Sequence, residues 1–67
     1  MSAFIEFQVG ARDTTAISIR KEDIRAIERN SDGTAYIVTN IPDKKGAVKE
    51  YYTKDSYGEV MLIMENT

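Results

Sequence analysis

Eight Ile and four Val stand against a single Leu in this chain, and that imbalance constrains the fold more than any other feature. A side chain branched at Cβ loses χ1 freedom against the preceding turn of a helix and packs well on a pleated surface. Residues 1–53 are therefore expected to be mostly strand. The chain is 67 residues long, which makes one small domain over 1–67, with no composition shift, repeat or linker to divide it. A domain of this size buries only about 60% of the surface its unfolded chain exposes, so its margin of stability is thin. Cys and His are both absent. That excludes disulfides, thiolate chemistry, imidazole acid–base work and zinc held by those ligands.

The alternation of apolar and polar residues divides the chain. Ala3 to Val9 reads as a strand, with Ile5, Phe7 and Val9 alternating with Glu6 and Gln8. A turn at Gly10-Ala11-Arg12-Asp13 leads to a second strand, Thr15 to Arg20, so the two form a hairpin. Lys21-Glu22-Asp23 breaks the alternation, and Ile24 and Ile27 are three apart. One helical turn at 21–24 and a third strand at 25–29 follow. Asn30-Ser31-Asp32-Gly33 is the strongest turn signal, because Asn and Asp tolerate left-handed backbone and Gly lacks a Cβ. A fourth strand, expected to be central, runs from Thr34 to Thr39. Asn40 to Gly46 contains the only Pro and a Lys pair and reads as an exposed loop. Val48 to Thr53 is the fifth strand.

The period then changes. Ser56-Tyr57-Gly58-Glu59 has the Ser-x-x-Glu spacing of a capping box. Val60, Ile63 and Met64 follow at helical spacing, with Tyr57 one turn earlier. The helix is predicted over 57–65, too short to persist in water without docking on the sheet. The expected fold class is α+β: an antiparallel sheet of about five strands with a C-terminal helix packed on one face.

The order of these features resembles the FlbD-like family of short flagellar and swarming-motility proteins, and similar short phage or mobile-element proteins. The resemblance rests on Ile24, Ile27 and Glu28, on the Thr34 to Thr39 strand, and on Ser56, Tyr57, Glu59 and Val60. It spans nearly the whole chain, but its motifs are caps, turns and core positions. It implies this fold and assigns no chemistry; the expectation taken with it is a cytoplasmic protein of bacterial or phage origin. The chain departs from the family where a tight Asn-Gly hairpin is usual and Asn40 to Gly46 stands instead.

Catalytic constellations are poor. Ser56 with Lys54 reads as a helix cap beside a solvated lysine. Glu22-Asp23, and Glu28 with Asp32, read as charged turns. Asn30 to Gly33 lacks the alternating acids and the distant Glu of a calcium loop. Gly10-Ala11-Arg12 lacks the Gly-Lys-Ser/Thr of a P-loop. The expectation is that the protein is not an enzyme and binds no metal or cofactor. The formal net charge is −2, which gives no electrostatic footprint for nucleic acid or a membrane surface. No apolar run approaches the roughly 18 residues of a membrane span, and the N-terminus has no basic stretch followed by an apolar one.

Partner binding fits best. A core this small is marginal and oligomerisation is a common remedy. The residues expected to face a partner protein or a second copy are Tyr51, Tyr52, Tyr57, Met61, Leu62 and Arg25, types favoured at interfaces. Met61 and Leu62 lie off the Val60, Ile63, Met64 face. The expectation is a non-enzymatic protein-interaction module and a homo-oligomer. The alternative is a small phosphate-ligand or nucleic-acid binder using Arg12, Arg20, Arg25 and Arg29 with Tyr36, Tyr51 or Tyr52.

Overall fold

A computed structural model describes residues 3–67. The chain runs through β1 (Phe4–Val9), β2 (Thr15–Arg20), a 3₁₀ turn (Lys21–Asp23), β3 (Ile24–Arg29), β4 (Thr34–Pro42), β5 (Val48–Ser56) and α1 (Tyr57–Glu65). All neighbouring strands are antiparallel, in the order β2-β1-β5-β4-β3. The fold is α+β, a five-stranded antiparallel sheet with α1 against one face.

The connectivity forces the sheet to curl. β2 and β3 are its two edges, yet only Lys21–Asp23 separates them. Four peptide steps span at most about 14 Å, whereas the edges of a flat five-stranded sheet lie about 19 Å apart. The sheet closes part of that distance by bending across its middle, where Val9↔Thr53 is the single pair joining β1 to β5. The concave face holds the core of Ile5, Phe7, Ile19, Ala35, Ile37 and Val60. Thr39 and Thr53 are buried with it. Their hydroxyls are satisfied, Thr53 donating to the Ala35 carbonyl and Thr39 to the Lys49 carbonyl, each at 2.8 Å. A buried hydroxyl without such a partner would cost more than the methyl beside it returns.

The first hairpin turns at Gly10, whose φ is +113°. A Cβ there would meet the Asp13 carbonyl oxygen at 2.2 Å, so the turn requires glycine. The second turn is held by Asp32, whose carboxylate accepts from the amide and the hydroxyl of Thr34. These bonds hold the Asp32 carboxyl below its ordinary value.

Three expectations are corrected. Asn40 to Gly46 is not one exposed loop: β4 continues to Pro42 and only the tip turns back. Ile41 packs against the core, and its amide donates to the Thr39 hydroxyl at 3.1 Å. Pro42 is tolerated because it ends the strand, beyond the register shift that separates it from Val38. The tip is pinned instead by Asp43, whose carboxylate accepts from the amides of Lys45 and Ala47. Second, β4 is flanked on both sides, but the middle of the sheet belongs to β5. Third, the helix stripe is shifted. Val60 is fully buried, but Ile63 is 42% exposed. Tyr57, Met61 and Met64 complete the half-buried stripe with Val60, at spacings of three and four. The helix leans on β3, β4 and β5, which turns Met61 inward and Ile63 outward.

Candidate partner-binding groove

A concavity of about 230 Å³ lies between the edge strand β3 and α1. Ile24, Arg25, Ala26 and Ile27 line it from the strand, and Tyr57, Met61 and Met64 from the helix. Each wall follows from local sequence rules. On the strand side the register of β3 against β4 shifts between Ile24 and Ala26. A bulge of this kind bends an edge and re-aims its side chains. On the helix side the Tyr57, Met61, Met64 row sits at i, i+4, i+7 and so projects from one flank.

The helix start is fixed tightly to the sheet. Ser56 caps it, its hydroxyl accepting from the Glu59 amide at 3.2 Å. The return bond from the Glu59 carboxylate to the Ser56 amide does not form, so only half of the capping box operates. The Tyr57 amide donates instead to the Gly33 carbonyl at 2.9 Å, tying the β3–β4 turn to the first turn of α1. The Arg29 guanidinium lies over the Tyr57 ring, 4.8 Å from its centroid. A cation–π contact thus joins the end of β3 to the Tyr57 ring that lines the groove.

The groove joins three of the residues singled out from the sequence: Arg25, Tyr57 and Met61. The other three lie elsewhere. Tyr51 is half-buried against the core. Tyr52 is 71% exposed on the opposite face of the sheet, where its ring meets that of Tyr36 at 4.5 Å between centroids and a 48° tilt. Leu62 is 59% exposed on the outer side of α1. Ile24 and Ile27 are wall residues that sequence reasoning does not single out, and Met64, an interface-prone type like Met61, is one it sets on the sheet-facing stripe of the helix. The signal was the three-residue spacing of Ile24 and Ile27, which spans the bulge. Arg29 was grouped with phosphate-binding arginines rather than with Tyr57.

The charges do not converge on a phosphate-sized point. Arg20 is held by Asp23 at 3.1 Å and by Glu22 at 3.6 Å. The hydrogen bond and charge of Asp23, with Glu22 adding to them, raise the Arg20 guanidinium further above its ordinary value. Across the exposed face of the sheet, Glu28 is paired opposite Tyr36, and Tyr36 opposite Tyr52. No described helix is long and apolar enough to cross a membrane. Comparison of the chain with protein-family models, with curated proteins and with solved structures gives no match.

Proposed function

We propose that this protein is a non-enzymatic interaction module that binds a partner protein through the groove between β3 and α1. The observation that carries the reading is the composition and size of that groove. Five of its walls are Ile24, Ile27, Tyr57, Met61 and Met64, with Arg25 as the one charge. Aromatic, Met and Arg side chains are the types that dominate interface energetics. Its volume of about 230 Å³ falls below the roughly 300–1,000 Å³ of small-molecule sites and suits one or two apolar side chains of a protein. Methionines line it flexibly, so that it adapts to the shape it receives. Arg25 then selects a partner with a carboxylate beside its apolar anchor. The FlbD-like resemblance of the sequence supports reading such a module as a cytoplasmic protein of bacterial or phage origin.

The rival reading, binding of a phosphate ligand or nucleic acid, is less well supported. Arg20 is engaged by acids, Arg29 by Tyr57, and the Tyr36–Tyr52 pair has Glu28 beside it.

Site-specific photocrosslinking tests the proposal. A photoreactive residue at Met61 should yield a protein adduct that persists in about 0.5 M salt, where the Debye length is roughly 4 Å and attraction between exposed charges is screened. The adduct should be lost in Arg25→Glu. Equal yields from a photoreactive residue at Glu6, or a nuclease-sensitive adduct that salt abolishes, would contradict it.

A further inference from the structure

The two edges of the sheet are protected very differently. β3 carries Arg25, Glu28 and Arg29 and a register shift between Ile24 and Ala26. Antiparallel pairing of β3 with its own copy about Ile27 would set Arg25 opposite Arg29. Such charges and bulges are how proteins blunt an edge. β2 has neither along Thr15–Ile19: its six residues are Thr-Ala-Ile-Ser-Ile-Arg and pair with β1 in unbroken register.

The backbone of β2 also presents a free ladder. The Lys21 amide donates to the Ala3 carbonyl at 2.8 Å, and this bond sets the phase of the β1–β2 pairing. Hydrogen-bonded pairs alternate with non-bonded ones in an antiparallel ladder. Thr15, Ile17 and Ile19 therefore turn their amides and carbonyls toward β1, and Ala16, Ser18 and Arg20 turn theirs outward. Ala16 and Ser18 are exposed and small, and Ile17 is only half-buried.

We propose that the outer edge of β2 pairs, antiparallel and about a twofold axis at Ile17, with β2 of a second copy of this chain. A twofold axis normal to the sheet keeps like faces together, so only residues of the same parity can meet across it. With the axis at Ile17, Ala16 bonds to Ser18 of the second copy, and the two Ile17 side chains meet in a non-hydrogen-bonded pair. Thr15 lies opposite Ile19.

Charge selects this register. Beyond the strand ends it brings the turn carrying Arg12 and Asp13 beside the 3₁₀ turn of the second copy, which carries Lys21 and Glu22. There the Lys21 ammonium exchanges its bond to the Thr67 carbonyl, 2.6 Å within its own chain, for Asp13, and Glu22 exchanges its ion pair with Arg20, 3.6 Å, for Arg12. Moving the axis to Ser18 would place Asp13 beside Asp23 and lose both attractions. Two six-residue strands bury far less than the roughly 1,200–2,000 Å² of a stable interface, so the dimer is weak and concentration-dependent. It uses a surface separate from the β3–α1 groove and stands or falls independently of it.

Sedimentation of the full chain over a dilution series should show the mass rising from one chain toward two. Ser18→Pro removes an outward amide and leaves the β1 ladder intact, and should raise the dissociation constant at least about tenfold. Lys21→Glu sets like charges opposite and should weaken the dimer about tenfold. Adding Asp13→Lys to Lys21→Glu should restore it. The chain has no Cys, so Ile17→Cys gives a clean readout. Its Cα separation across the axis, about 4.5 Å, falls within disulfide range, and oxidation should link the dimer. Should Ser18→Pro fail to fold by its amide spectrum, the charge pair and the Ile17→Cys link decide. A single-chain mass at every concentration would overturn the proposal. So would a dimer indifferent to charge reversal and not linked through Ile17→Cys.

Discussion

Arg29, at the end of β3, lies over the ring of Tyr57, the first residue of α1, at 4.8 Å from its centroid. The contact joins an edge strand to the helix that forms the other wall of the groove. The ring is half-buried but Arg29 is exposed, so the attraction is that of a surface cation–π pair. Arg29→Ala should lower stability by about 0.5–1 kcal/mol. Arg29→Lys should restore only part of it, since an ammonium cannot stack on the ring. Urea denaturation midpoints of the three proteins check this.

The N-cap of α1 gives a second test. Ser56→Ala removes the acceptor for the Glu59 amide and should cost about 0.5–2 kcal/mol. Glu59→Ala should change stability by no more than about 0.5 kcal/mol, because the reciprocal half of the capping box does not form. An equal loss from both substitutions would show that the return bond does operate in solution.

The β4–β5 connection behaves as two parts. Asp43→Ala removes the acceptor for the amides of Lys45 and Ala47 and should cost about 1 kcal/mol. Replacing all of Asn40 to Gly46 by Asn-Gly should do far worse, because it deletes Ile41 from the core margin together with the bond its amide donates to the Thr39 hydroxyl. Thermal unfolding of both variants separates the tip from the strand.

Asp32 supplies a pH dependence. Its carboxyl is held below the ordinary 3.8 chiefly by the Thr34 hydroxyl and then by the Thr34 amide. A folded-state value below the unfolded one means the stabilisation is complete above 3.8 and is lost as pH falls through the lower folded value. The stability gap between the wild type and Asp32→Asn should therefore close as the medium is acidified across that range. Denaturation curves taken at a series of acidic pH values measure it. A gap that widens on acidification would have the wrong sign.

Element identity was legible because local rules and tertiary structure agree here. β-Branched alternation marked β1 and β2, and Ser56-x-x-Glu59 marked the start of α1 at its observed residue. The loop at Asn40 to Gly46 was misread because Pro42 and the Lys pair are turn signals, while Ile41 answers to the core, which sequence spacing does not reveal. The helix face was misread for a related reason. Between Val60 and Met64, helical spacing admits either Ile63, three after Val60, or Met61, four after Tyr57 and three before Met64, as the flanking member of the stripe. The choice is made by where β3 stands, three strands away in the chain. The groove inherits that ambiguity: Arg25, Tyr57 and Met61 were chosen by residue type, whereas Ile24 and Ile27 become its floor only through the bulge in β3.

The most direct test of the central claim is a map of backbone amide shifts in the ¹⁵N-labelled chain as the protein captured through Met61 is added. The account predicts that the largest shifts fall on Ile24–Arg29 and on the Tyr57, Met61, Met64 flank of α1, with Tyr36 and Tyr52 unmoved. Shifts centred on Tyr36, Tyr52 and Phe4, with β3 and α1 silent, would contradict it and move the functional surface to the opposite face of the sheet.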